Sequence, residues 1–153
     1  MTLRERISRD LTAAMKAGDK LRLETLRTLR AALTEKEIER RGSKAEMTAE
    51  DETGVLTSSA KKRRESIEMF QKGGRQDLVD QETKELSIIQ EYLPKQLSVD
   101  EITVIVREII SQTGAAGPGD FGKVMPLAMK QLKGRAEGKI IQGLVKQLLE
   151  GAT

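Results

Sequence analysis

Near the C-terminus, six cations and two glycines stand in an order that suits the binding of phosphate groups: Lys123, Lys130, Lys133, Gly134, Arg135, Gly138, Lys139 and Lys146. Lys123, Lys130 and Lys133 fall opposite the apolar stripe of one predicted helix. Lys139 and Lys146, seven residues apart, fall opposite the stripe of the next, and Arg135 occupies the turn between. If these helices form a hairpin, the cations face one side together. Gly134 and Gly138 then let backbone amides approach a phosphate, helped by the positive N-terminus of the last helix. The plainer reading is that lysines solvate helix faces and the glycines only cap.

A second motif fails on inspection. Residues Gly117 to Lys123 match seven positions of a phosphate-binding P-loop, but the eighth is Val124, where a magnesium-holding hydroxyl belongs. The loop also follows a predicted helix instead of a strand, so glycines for the loop and Asp120 as a helix cap account for it. With no His and no Cys, the chain lacks the commonest general base, the commonest metal ligand and any thiolate. No catalytic residue, metal or cofactor is therefore expected.

Four charges fall on inward stripes in the N-terminal part: Arg30, Arg63, Glu82 and Glu85. They predict a partly buried ion-pair network joining the second, third and fourth helices, with snorkelling at the stripe edges as the rival. Paired carboxylates also suit acid–base chemistry, but nothing places a substrate between these two. Lys61, Lys62, Arg63 and Arg64 spread around their helix and point only to solvation or a secondary RNA contact.

The elements that must position these groups are all α-helical. Aromatics make up 2% of the 153 residues and apolar residues 37%, a core vocabulary of Leu, Ile, Val, Ala and Met that fits helix-on-helix packing. Seven helices are predicted, over about Thr2–Lys16, Asp19–Arg41, Thr48–Lys72, Gln76–Leu93, Ser98–Gln112, from Asp120 to before Gly134, and Glu137–Glu150. Gly54 predicts a bend or a later start in the third, and Pro126 a kink or a delayed start in the sixth. Residues 102–106, β-branched throughout, read as strand by propensity. However, Ile102, Ile105, Val106, Ile109 and Ile110 share one helical face, and helix is chosen. Pro94 to Leu97 is the candidate hinge, giving a four-helix part over 1–94 and a three-helix domain over 95–153.

The net charge of +3 conceals basic ends around an acidic middle, with 11 Lys/Arg against 7 Asp/Glu in residues 1–43 and 6 against 3 in residues 114–153. A polyanion is a reasonable partner. With one Tyr, two Phe and no Trp there is no platform for stacking unpaired bases, so a folded, double-helical RNA read by shape and phosphates is the expected ligand. No apolar run is long enough to span a membrane and the first residues are charged, which predicts a cytoplasmic protein without a membrane partner.

The stretches Lys61–Phe70, Gly73–Arg75 with Leu78, Glu91–Ser98, Gly122–Met125 and Lys133–Lys139 with Val145 and Lys146 together resemble the signature of the bacterial YqeY family, in order along nearly the whole chain. The same module is similar to the tail domain of the B subunit of glutamine-dependent aminoacyl-tRNA amidotransferases. The resemblance implies an N-terminal helical bundle, a C-terminal three-helix domain and a capacity to contact tRNA. It implies an accessory to a carbon–nitrogen ligase and no enzyme in its own right, with an amidotransferase or an aminoacyl-tRNA synthetase as protein partner. The alternative is an adaptor that docks on a partner enzyme without binding RNA. Glu137 departs from the Asp common in the family, and Pro126 is unusual in its helix.

Overall fold

The computed structural model describes residues 1–151. It contains α1 (Leu3–Ala17), α2 (Lys20–Gly42), α3 (Ala49–Lys72), α4 (Gln76–Gln90), α5 (Val99–Thr113), a 3-10 turn (Pro118–Asp120), α6 (Phe121–Leu132) and α7 (Gly138–Gly151), with no strand among the described residues. The chain divides into two compact units, Met1–Leu93 and Pro94–Thr153. The last two residues of the C-terminal domain read from the sequence, 152 and 153, lie outside the described residues. No described helix is long and apolar enough to cross a membrane.

In the first unit, α1 and α2 pack as one hairpin and α3 and α4 as another. The core joins Ile7 and Leu11 of α1, Leu26, Leu29 and Leu33 of α2, Leu56 of α3, Ile88 of α4 and Tyr92 just beyond it. Chain entry into α3 is fixed by a capping box in which Thr48 and Asp51 each accept the other's backbone N–H, and Asp51 also pairs with Arg40 of α2. That double anchor sits before Gly54, so α3 starts at Ala49 and runs on through the glycine where a bend or later start was predicted. The fourth helix stops at Gln90 instead of Leu93. The N–H groups of Tyr92 and Leu93 bond three residues back, to Ile89 (3.1 Å) and Gln90 (3.2 Å), a tightening forced by Pro94, which disfavours α geometry before it. Tyr92 thereby turns its hydroxyl to donate to Asp10 at 2.5 Å.

The second unit is a three-helix domain. Its core is Ile102, Val106 and Ile109 of α5, Val124, Ala128 and Leu132 of α6, and Ile141, Val145 and Leu149 of α7. Helical periodicity thus prevails over β propensity in α5, because one face carries every buried side chain. A Ser98–Glu101 capping box starts α5, and Gly114, in the left-handed region at φ +70°, ends it. Asp120 holds the N-cap position of α6, but its side chain makes no cap hydrogen bond: it ends the preceding 3-10 turn, and its carboxylate accepts the Ala116 N–H at 2.8 Å. Nor does Pro126 delay α6, which is continuous from Phe121 to Leu132. The carbonyl deprived of a donor there is that of Gly122, and both Pro126 and Gly122 are on the exposed side.

Candidate nucleic-acid interface

The link between α6 and α7 is a type II turn. Lys133 has φ −53° and ψ 125°, Gly134 has φ +76°, and the Arg135 N–H closes the turn on the Leu132 carbonyl at 2.9 Å. A positive φ at its third position is what requires glycine. Gly134 is buried, and its carbonyl accepts from the Gln96 side-chain amide at 2.8 Å. The Arg135 carbonyl accepts the Leu97 N–H at 2.9 Å. Gly134, buried with its carbonyl in use, shapes the turn. Replacing it with Ala should destabilise the domain by about 1–2 kcal/mol, the cost of a left-handed residue that carries a Cβ. A calorimetric melt of the full chain checks this.

The turn presents Lys133 and Arg135, both exposed, on either side of the buried glycine. Gly138 opens α7 half-buried, and a Cβ built on it would meet the Met129 methyl at 3.7 Å, an ordinary contact. Lys139 and Lys146 are exposed on one face of α7, about 10 Å apart along the axis at 1.5 Å per residue. Lys146 lies beside Pro118 and Phe121, at the end of the domain away from the turn. Lys123 and Lys130, also seven residues apart, are exposed opposite the buried stripe of α6, and Lys123 is 3.5 Å from the Asp120 carboxylate. The structure thus gathers Lys133, Arg135, Gly138 and Lys139 at one end, while Lys123 and Lys146 lie toward the other.

Residues singled out by neither helix pattern nor charge run support this end. Gln96 and Leu97 hold the turn from the segment before α5. Lys95, exposed in the same segment, acts with Arg135 on the Glu101 carboxyl. That carboxyl is held below its ordinary range first by the Ser98 backbone N–H, next by the Ser98 hydroxyl, and then by the charges of Lys95 and Arg135. The run Pro94 to Leu97 was visible in the sequence as a hinge; its contact with a turn nearly forty residues on was not.

In the first unit, Arg63 lies between two carboxylates, 3.2 Å from Glu82 and 2.9 Å from Glu85. Its Nη1 hydrogen-bonds to Glu82, whereas the buried Glu85 Oε2 has the charge nearby without a directed hydrogen bond. Burial pushes the Glu85 carboxyl up, Arg63 opposes this, and the Glu82 charge adds to it. The cluster joins α3 to α4 only. Arg30 of α2 is exposed and outside it, because the buried face of α2 is turned toward Thr25 on the opposite flank of the leucine stripe. Thr25 satisfies its hydroxyl on the Leu21 carbonyl at 2.8 Å. No group of metal-ligating side chains occurs among the described residues.

The sequence profile of a family described as Yqey-like protein matches residues 4–149. Among curated proteins, the chain is 32% identical over 114 residues to Altered inheritance of mitochondria protein 41, mitochondrial, of Lachancea thermotolerans, covering 73% of this chain and 60% of that one. It is 30% identical over 144 residues to the protein of the same name from Kluyveromyces lactis, covering 92% of this chain and 72% of the other. A protein of Methanococcus maripaludis that is named as one subunit of glutamyl-tRNA(Gln) amidotransferase is 31% identical over 131 residues, which are 80% of this chain but 20% of that protein. The chain thus spans about three fifths of the first of these relatives and one fifth of the Methanococcus protein.

Proposed function

The chain belongs to the Yqey-like protein family, and we propose that it is a tRNA-binding accessory protein that contacts folded RNA through phosphates and shape. The observation that carries this reading is the α6–α7 turn. Three backbone or side-chain hydrogen bonds hold it, and the exposed cations Lys133 and Arg135 flank it. A turn fixed in this way presents its charges with little ordering entropy left to lose on binding. Likeness, across four fifths of this chain, to a protein named for glutamyl-tRNA(Gln) supports tRNA as the polyanion. Lys123, Lys130, Lys133, Arg135, Lys139 and Lys146 contact phosphates, and Gly134 and Gly138 permit close approach. The role is non-catalytic, in the service of an amidotransferase or an aminoacyl-tRNA synthetase. Because named relatives are mitochondrial, the compartment is that of the tRNA, organellar or cytoplasmic.

Filter binding of the full chain to total tRNA, against an unrelated RNA duplex of similar length over a salt series, tests the reading. Tighter binding to tRNA, with log K falling linearly in log salt, is the expected result. Equal affinity for the duplex overturns it and leaves a protein-docking adaptor. Gly138→Ala adds a second check. It should leave the melting temperature unchanged or slightly raised, since a Cβ fits there and Ala is the better helix former, yet weaken tRNA binding by obstructing a phosphate.

A further inference from the structure

The amide of Gln96 donates to two carbonyls at once, to Pro94 at 2.9 Å and to Gly134 at 2.8 Å. One side chain therefore ties the first residues of the second unit to the turn between its last two helices. The next residue continues the link through the Leu97 N–H to the Arg135 carbonyl at 2.9 Å, while the Leu97 side chain packs against the core of the domain. Between the two ends of this clamp stands Lys95, exposed, with no ion pair among the described residues. Its backbone has little freedom, because Pro94 and Gln96 on either side share one hydrogen bond. The Gln96 and Leu97 bonds to the carbonyls of Gly134 and Arg135 bring Lys95 and Arg135 together although they are distant in sequence, and the Glu101 carboxylate, held by the Ser98 N–H at 3.3 Å, feels both charges.

We propose that the polyanion-binding surface continues from the α6–α7 turn onto the segment before α5, with Lys95 as a phosphate contact and Gln96 as the positioning residue that sets Lys95 beside Arg135. The proposal rests on the RNA-binding reading above and deepens it. A helical hairpin alone offers cations along two helix axes. With Lys95 the turn becomes a three-cornered cationic end, Lys133 and Arg135 from one segment and Lys95 from another, held together by an uncharged amide. A surface of that kind grips a phosphate backbone at points not collinear with one helix, as a curved, folded RNA requires and a straight charge ladder does not.

The test is salt-dependent filter binding of tRNA to the full chain carrying Lys95→Ala, Gln96→Glu, or both. Lys95→Ala touches no hydrogen bond and should leave the fold intact by circular dichroism. It should weaken binding several-fold and lower the salt slope by about 1, the signature of one lost phosphate contact. Gln96→Glu replaces a donor with an acceptor facing two carbonyls, so it releases the clamp and should weaken binding too. In the double variant the two losses should be less than additive, because a released Lys95 has little left to lose. Additive losses, or a Gln96→Glu effect explained wholly by a lower melting temperature, overturn the positioning role. Unaltered affinity and slope in Lys95→Ala overturn the extension alone, provided the unaltered chain binds tRNA. Failure of the unaltered chain to bind overturns the parent reading, and this one with it.

Discussion

Replacing Lys133, Arg135 and Lys139 together with glutamine should weaken tRNA binding on the order of 5 × 10²-fold at about 0.1 M salt. Each neutralised phosphate contributes about 0.9 to the slope of log K against log salt. Three lost contacts therefore flatten the slope by about 2.7, and at about 0.1 M salt, relative to about 1 M where counterion release contributes nothing, that is about 5 × 10²-fold in affinity. Glutamine keeps side-chain length and helix propensity, so the fold should be undisturbed. All three positions are exposed, and main-chain groups and Gln96 close the turn. A control triple at Lys61, Lys62 and Lys84, exposed cations of the first unit, removes the same charge. It should weaken binding far less. Equal losses in the two triples would mean that net charge is being measured, and would sink the assignment to the turn.

What was legible in the sequence is legible for a physical reason. Helix periodicity is local, so seven helices and their buried stripes emerge even where β-branched residues argue otherwise, as in Ile102 to Val106. Caps are local as well, and α5 opens on the Ser98–Glu101 box at the place where the pattern starts the helix. The misreadings arise where a side chain has a choice that depends on distant groups. Asp120 has the form of a cap, but a loop amide claims its carboxylate. Arg30 shares a stripe with three leucines, but the register of α2 is decided by what it packs against, and Thr25 takes the inward place. At the candidate site the cations could be named from opposition to apolar stripes. The clamp from Gln96 could not, because an amide in a hinge looks the same whether it faces water or a carbonyl thirty-eight residues away.

In the first unit, Arg63→Met should reduce stability by about 2–3 kcal/mol at neutral pH, at or just below the low end of the loss of about 3–5 kcal/mol seen when one partner of a buried ion pair is removed. The figure is placed low because the Arg63 side chain is still 23% exposed. The variant leaves Glu82 and Glu85 facing each other on α4, with side chains only 15% and 10% exposed. The sign of the pH dependence follows from Glu85. Its carboxyl already lies above the ordinary value through burial, with Arg63 pulling it back and Glu82 pushing it on. A carboxyl whose pKa is raised by folding contributes stability that is fully present below its unfolded value, near about 4.3, and is lost as pH rises through the folded value. Without Arg63 the folded value rises further, so the variant's deficit should be greatest at neutral pH and shrink as the solution is acidified toward about pH 5. The parent chain loses stability of its own on acidification, because Asp10 and Asp77 are held below their ordinary range, by Tyr92 and Arg75 respectively. The quantity to follow is therefore the difference between the two proteins in urea melts at each pH. Adding Glu82→Gln and Glu85→Gln to Arg63→Met should abolish the pH dependence of that difference and return part of the lost stability. A deficit that stays constant from pH 7 to pH 5 would show that Arg63 acts through packing of its stem, and not through the charge it places between the Glu82 and Glu85 carboxylates.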